Sequence, residues 1–306
     1  MKLLALETSA KAASCAVLED GVPVASAWQC TGLTHSRTLL PMVEDMLRSS
    51  ELRIEDMDAI AVAAGPGSFT GLRIGVAAVK GLAWAAEKPC IPVSTLEGMA
   101  WPLAHLTGPV VCAMDARRQQ IYNAVFLAEA GTLTRLREDR AISLADAWED
   151  LRDFDGTLTI VGDGAALCCN YMRQQGLDCR MAPPHLRMQS AVGVGMAAAR
   201  LWPEGAVAVQ SLEPVYLRLS QAERERLAKR GSGMENCRDR AFSKEELAEA
   251  KRQIDSTLHK LRETVKTFEA KENAERYKSQ ITLARRRTRA FEIANSFIAD
   301  ALEAAE

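Results

Sequence analysis

Residues 59–85 read AIAVAA-GPGSFTG-LRIGVAAVKGLAWA, a short apolar run, a glycine-rich elbow and a long Ala/Gly-rich run. The first run has strand length and the last has helix length, so the stretch reads as strand, tight turn, helix, the unit from which α/β proteins are built. Such an elbow invites a phosphate. A P-loop needs GxxxxGK[ST], yet Gly71 is followed by Leu72 and the next lysine is Lys80. A dinucleotide fingerprint needs GxGxxG, and after Gly65-Pro66-Gly67 the third glycine, Gly71, comes one place late. Two readings remain: the elbow's amides, around Gly67 and Ser68, hold an anion at a helix N-terminus, or the glycines only permit the turn. Along the helix, Gly71, Gly75, Ala78, Leu82 and Ala85 recur at three-to-four spacing. Glycine inside a helix costs about 1 kcal/mol relative to alanine, a cost normally offset by close approach of another backbone, internal or from another chain.

Outward from this unit the pattern repeats. LLALET (3–8), SCAVLED (14–20) and VPVASAWQ (22–29) are expected strands, followed by a helix over 36–49, the strand at 59–64, the helix over 70–87, and a strand from Pro89 to Val93 leading into a helix. VVCAMDA (110–116), IYNAVFLAE (121–129) and LTRLRED (133–139) restart the order. A helix capped by Ser143, the strand LTIVGDG (158–164), a helix over 165–175 and a last helix over 190–202 complete it. The order βββαβα occurs twice, which predicts two similar α/β lobes, 1–105 and 106–222.

The chain has 306 residues, a formal net charge of -2 and 48% hydrophobic residues. That is ample for a packed core, and it offers no global attraction for nucleic acid or an anionic membrane. No apolar run reaches the length of a membrane helix. Eight cysteines without a CxxC motif predict free thiols in a reducing, cytoplasmic setting.

All nineteen glycines lie at or before Gly233 and all eleven prolines at or before Pro214. Beyond them Met234–Glu306 is dense in Glu, Lys, Arg and Ala. Residues 223–233, with Gly231-Ser232-Gly233, read as a flexible linker, and Met234 resembles a second start. The junction reads as an engineered fusion of two independent polypeptides, with a natural linker as the alternative. Leu247, Ile254, Leu258, Leu261, Val265 and Phe268 show heptad-like spacing, as do Tyr277, Ile281, Ala284, Thr288, Phe291, Ile298 and Leu302 after a polar break. Ser243 with Glu246 forms a capping box. An antiparallel hairpin of two helices is expected, one that buries little and so packs on another surface or self-associates. The cluster Arg285, Arg286, Arg287 and Arg289 reads as a solvated face balanced by glutamates, with nucleic-acid binding as the alternative.

LALETSAKAASCAVLEDG, THSRTLLPMVEDML, GPGSFTGLRIGVAAVKGLA and MDARRQQIYNAVF, in this order, resemble the TsaB (YeaZ) family over about residues 1–222. The resemblance implies the two-lobed actin/sugar-kinase/Hsp70-like ATPase fold. It also implies a non-catalytic, cytoplasmic part in making threonylcarbamoyladenosine beside the anticodon of tRNAs that read A-starting codons. The implied partners are the catalytic paralogue TsaD and the P-loop ATPase TsaE, with only indirect tRNA contact, and a homodimer when TsaD is absent. TsaD carries an HxxxH metal motif on its first helix. Here the matching stretch is His35-Ser36-Arg37-Thr38-Leu39, so the second histidine is missing and His35 reads as a helix-start residue. No metal site and no catalytic set is expected; His35, His105 and His185 lack nucleophile motifs.

The implied partner surface lies on the two helices of the first lobe, at Leu39, Leu40, Val43, Leu47, Gly71, Leu72, Gly75, Ala78 and Leu82; Met42 is a further apolar candidate, and burial of these residues within the lobe is the alternative. In this fold Glu7 and Thr8 end the first strand, where phosphates are met, and Asp115 and Arg117 take the matching place in the second lobe, with Asp163 alongside. Together with Gly67 and Ser68 they are the candidates for binding ATP or ADP with Mg²⁺. The competing reading is therefore a nucleotide-dependent enzyme, kinase-like or acyl-transferring, that uses the cleft between lobes.

Overall fold

The structure, a computed structural model, describes residues 1–218, 243–269 and 278–303. It divides into two compact units, Met1–Gln221 and Ala222–Glu306. In the first unit β1 (Lys2–Glu7), β2 (Ala13–Glu19), β3 (Val22–Gln29), α1 (His35–Ser49), β4 (Ala59–Gly65), α2 (Phe69–Ala85), β5 (Cys90–Ser94) and α3 (Thr95–Ala100) follow one another. Then come β6 (Gly108–Asp115), β7 (Gln120–Glu129), β8 (Thr132–Ser143), α4 (Leu144–Leu151), β9 (Leu158–Val161), α5 (Ala165–Gln174), β10 (Cys179–Met181), the short α6 (Pro184–Arg187) and α7 (Ala191–Leu201).

The two sheets have the same order, β3-β2-β1-β4-β5 and β8-β7-β6-β9-β10. In each, the first strand pairs antiparallel with the second and parallel with the fourth. This is the expected duplicated, two-lobed ATPase-like fold. The central strands are buried on both faces, which is why they read as continuous apolar runs. Leu4 and Leu6 of β1 point into a cluster with Leu39, Val43, Val76 and Val79 from α1 and α2. Leu3 and Ala5 point the other way, against Ala191, Val194 and Ala198 of α7. In the second sheet Val110, Cys112 and Met114 meet Leu96, Met99 and Leu103, residues of α3 and the turn after it. Val111 and Ala113 meet α4 and α5.

The sequence halves 1–105 and 106–222 therefore exchange helices: α3 covers the second sheet and α7 returns to cover the first. The segment after α7 also runs back to the first sheet, where Cys90 and Val207 exchange backbone hydrogen bonds and Val215 N donates to Ala64 O at 2.7 Å. A half-buried polar cluster joins β8 to the start of α3. The Arg135 guanidinium bonds Asp139 Oδ1 (2.6 Å) and Glu97 Oε2 (2.8 Å), and sits 4.6 Å over the Phe126 ring. Ser94 Oγ donates to Asp139 Oδ2 at 2.5 Å.

The second unit holds the expected hairpin, α8 (Lys244–Glu269) and α9 (Lys278–Glu303). Asn295 donates to Asp255, Arg262 to Glu292 and Arg285 to Glu269, at 2.6–2.8 Å. Numbers that rise on one helix fall on the other, which fixes the antiparallel sense. The capping box forms as expected: Ser243 N donates to Glu246 Oε2 at 2.9 Å, and Glu246 N to Ser243 Oγ at 3.2 Å. The linker 223–233, the polar break and Tyr277 lie outside the described residues. Among the described residues no helix is long and apolar enough to cross a membrane.

Candidate functional site

The end of β1 meets the elbow between β4 and α2. Thr8 Oγ1 donates to Gly71 O at 2.8 Å, and Ser68 N donates to Ser9 O at 2.7 Å. The glycines are explained by this meeting. A Cβ on Gly71 would lie 2.1 Å from Thr8 O, one on Gly67 2.6 Å from Ser9 O, and one on Gly75 2.4 Å from Thr8 Oγ1. Gly65, at φ +139°, faces Val215 O, to which a Cβ would come within 2.2 Å. The small-residue stripe thus receives the chain's own first strand. This corrects the expectation that Gly71 and Gly75 receive a partner: both are buried.

The elbow's anion-binding capacity is also reduced. Ser68 caps α2, its hydroxyl accepting from Gly71 N at 3.3 Å, and Leu72 N bonds Ser68 O. Phe69 stacks on Tyr216 with ring centroids 4.4 Å apart, and Arg73 Nε donates to Tyr216 Oη at 3.0 Å. The amides of Ser68, Gly71 and Leu72 are therefore occupied within the protein.

Across the cleft Glu7, Asp163 and Asp115 lie near one another, with Arg117 beside Asp115. Glu7 is buried and accepts from Ser9 N at 2.5 Å. Asp163 accepts from Gln189 Nε2 at 3.2 Å and from Asp115 N at 3.4 Å. Arg117 N donates to Asp115 Oδ1 at 2.7 Å, from a turn in which Arg117, Arg118 and Gln119 all have positive φ. Burial pushes the Glu7 carboxyl up to about 7, against the hydrogen bonding from Ser9, and the charge of Asp163 adds to the rise. Burial likewise raises Asp163, against the hydrogen bonds from Gln189 and the Asp115 amide. Both carboxyls thus resist ionisation in this cleft. Among the described residues no His, Cys, Asp and Glu group has the arrangement of a metal site.

A pH dependence follows from Glu7. The unfolded carboxyl releases its proton near the ordinary 4.5, whereas the folded one holds it to about 7. Between those values the folded state binds more protons, so stability falls as pH rises. Glu7's contribution is full below about pH 4.5 and gone above about pH 7, a change of about 3 kcal/mol. Urea unfolding at pH 5 and pH 8 is expected to show this decline in the wild type and a smaller one in Glu7→Gln; equal declines in the two would contradict it.

At the start of α1, His35 Nε2 lies 2.7 Å from Ala10 O, which ties the helix to the loop after β1. The fourth position on, Leu39, is 1% exposed and belongs to the core under α1 and α2.

Of the nine residues expected on the partner surface, five face inward: Leu39, Val43, Gly71, Leu72 and Gly75 are buried. They are corrected to core positions, because α1 and α2 turn these sides to β1, β2 and β4. Leu47, Ala78 and Leu82, like Met42, are half-buried at the margin of that core, and Leu40 is 47% exposed. The outward side of α2 is offset from the stripe and carries Ala77, Gly81, Trp84 and Ala85. Trp84 is 67% exposed, and a Cβ on Gly81 would meet nothing within 4 Å. The spacing of 77, 81 and 84 marks this second face in the sequence. Reading the glycines as the partner's side hid it. α1 lies beside α2, and its outward side offers the apolar Leu40 and Pro41 among the charged Arg37, Glu44, Asp45 and Arg48. On the other flank of α1 a groove of about 890 Å³ runs against β3, lined by Val24, Ala27, Arg37, Pro41, Met42 and Asp45 among others.

The profile of the family described as TsaD, tRNA N6-adenosine threonylcarbamoyltransferase, matches residues 29–211. The tRNA threonylcarbamoyladenosine biosynthesis protein TsaB of Escherichia coli K12 is 34% identical over 222 residues, covering 71% of this chain and 95% of that protein. TsaB of Bacillus subtilis is 31% identical over 227 residues, covering 73% and 96%. A crystal structure of a Pseudomonas aeruginosa protein, described as uncharacterized with similarity to peptidase YeaZ, is 28% identical with a TM-score of 0.59, covering 71% of this chain and 99% of that one. The C-terminal helices are unmatched.

Proposed function

The chain belongs to the TsaB family, and on that premise we propose that it serves tRNA threonylcarbamoyladenosine biosynthesis in the cytoplasm as a non-catalytic partner of TsaD. The observation that carries this reading is the fate of the metal-motif helix. Its second ligand position is the buried core residue Leu39, while the next residue, Leu40, and Trp84 on the outward side of α2 are exposed apolar anchors for another protein's helices. TsaD covers this face in the working complex, and TsaE, the P-loop ATPase of the pathway, joins that pair. A second copy of the chain takes the face when TsaD is absent. The tRNA is held by the assembly rather than by this chain, whose charge is near neutral.

The competing reading is a nucleotide-dependent enzyme with ATP or ADP and Mg²⁺ in the cleft, where Glu7, Asp115, Arg117 and Asp163 would do the binding. The test is direct binding: calorimetric titration of TsaD into this chain is expected to show one site per chain that does not need ATP. Absence of binding, together with ATP turnover by this chain alone, would replace the scaffold with the enzyme.

A further inference from the structure

We infer that the C-terminal hairpin is a self-association module in which α9 pairs antiparallel with α9 of a second copy. In this unit Leu258 and Ala284 are the buried apolar side chains among the described residues. Leu247, Ile254, Leu261, Val265, Phe268, Phe291 and Ile298, on the sides the two helices share, stay half-buried. A second apolar line lies on the outward side of α9. Leu283, Ala290 and Phe297 stand seven residues apart with Ile293 between them; all four are exposed, Phe297 at 68%. A helix with two apolar lines needs two neighbours, and α8 supplies only one.

Charge selects the occupant and its direction. Lys278–Arg289 contains five basic residues and no acidic one, whereas Ala290–Glu306 contains four acidic residues and no basic one. A parallel copy would set like charge beside like. An antiparallel copy sets each basic half along the acidic half of the other, in a self-complementary twofold contact. With Ile293 on the axis, Arg286 of one copy falls beside Asp300 of the other, seven positions to either side. Phe297 falls beside Arg289, whose aliphatic stem can cover the ring, and Ala290 beside Ser296. Arg285 and Arg289 already have carboxylate partners within the hairpin, Glu269 and Glu292. Arg286 and Arg287 are exposed and have no ion-pair partner among the described residues, so they face the second copy.

The experiment uses the full-length chain with Cys30→Ser and Cys237→Ser, treated at micromolar concentration with a short bis-maleimide. Ile293→Cys is expected to cross-link to itself at least tenfold more than Leu283→Cys, because only the former lies near the axis. Phe297→Glu, or Arg286→Glu with Arg287→Glu, placed in the Ile293→Cys chain should abolish that product. Adding Asp300→Arg to the double charge variant should restore it in part. Circular dichroism confirms that each variant keeps its helices. Equal cross-linking of the two cysteine variants, or none from Ile293→Cys with the helices intact, would overturn the pairing. So would an uncross-linked chain that instead retains RNA through Arg286 and Arg287.

Discussion

Replacing Gly71 with alanine is expected to destabilise the first unit by about 3 kcal/mol, the upper part of the range for overpacking a close contact. The added methyl would lie 2.1 Å from Thr8 O and 3.2 Å from Thr8 C. Neither atom belongs to a flexible side chain. To make room, the end of β1 would have to leave α2, and with it the Thr8–Gly71 and Ser68–Ser9 hydrogen bonds. The shift would also disturb the buried Glu7 carboxyl and its bond from Ser9. A fall in melting temperature of roughly 10 °C is expected for a unit of this size. Gly81→Ala, on the same helix but in open space, should leave stability unchanged or slightly raised. Equal melting temperatures for Gly71→Ala and the wild type would show that the β1–α2 contact is not as tight as described.

Restoring the missing histidine is expected to do harm rather than build a metal site. Leu39→His removes a leucine from a core shared with Leu4, Leu6, Val43 and Met46. It also places a polar ring among apolar side chains. Loss of the packed leucine and burial of the imidazole together should cost about 3–5 kcal/mol. Zinc should give no recovery, since the side chain at 39 points into the core and His35 Nε2 is engaged with Ala10 O. Thermal unfolding with and without zinc checks this. A Leu39→His protein that zinc carries above the wild-type melting temperature would contradict the assignment of α1 as a structural helix.

The duplicated order of strands and helices was legible because β1, β4, β6 and β9 are apolar on both faces and the amphipathic helices between them carry a 3.6 period. The three-residue β10 was not legible, being too short to show any period, and β8 runs four residues past the segment 133–139 that announced it. The exchange of α3 and α7 between lobes has no local signature. It depends on contacts such as Gly98 with Val194, nearly a hundred positions apart. The same limit explains the misassigned partner face. Gly71 and Gly75 do signal close backbone approach, but the approaching strand end at Thr8 lies more than sixty residues earlier. Trp84 carried the better signal: a large aromatic on a helix otherwise poor in bulk is buried or bound. Glu7 and Asp115 were placed at the ends of the matching strands β1 and β6, whereas the burial that raises Glu7 and Asp163 is a property of the assembled cleft.

The central claim is that the outward side of α1 and α2 receives TsaD. It is tested by titrating TsaD into the full-length wild type, Leu40→Glu, Trp84→Glu and Leu167→Glu. All three substituted residues are exposed, so the variants keep the fold; Leu167 lies on α5 in the second lobe and serves as the control. Trp84→Glu is expected to weaken binding about 100-fold and Leu40→Glu by at least tenfold, the scale of central interface residues. Leu167→Glu should bind like the wild type. Unchanged affinity in both Leu40→Glu and Trp84→Glu, with wild-type binding intact, would place TsaD elsewhere and contradict the account.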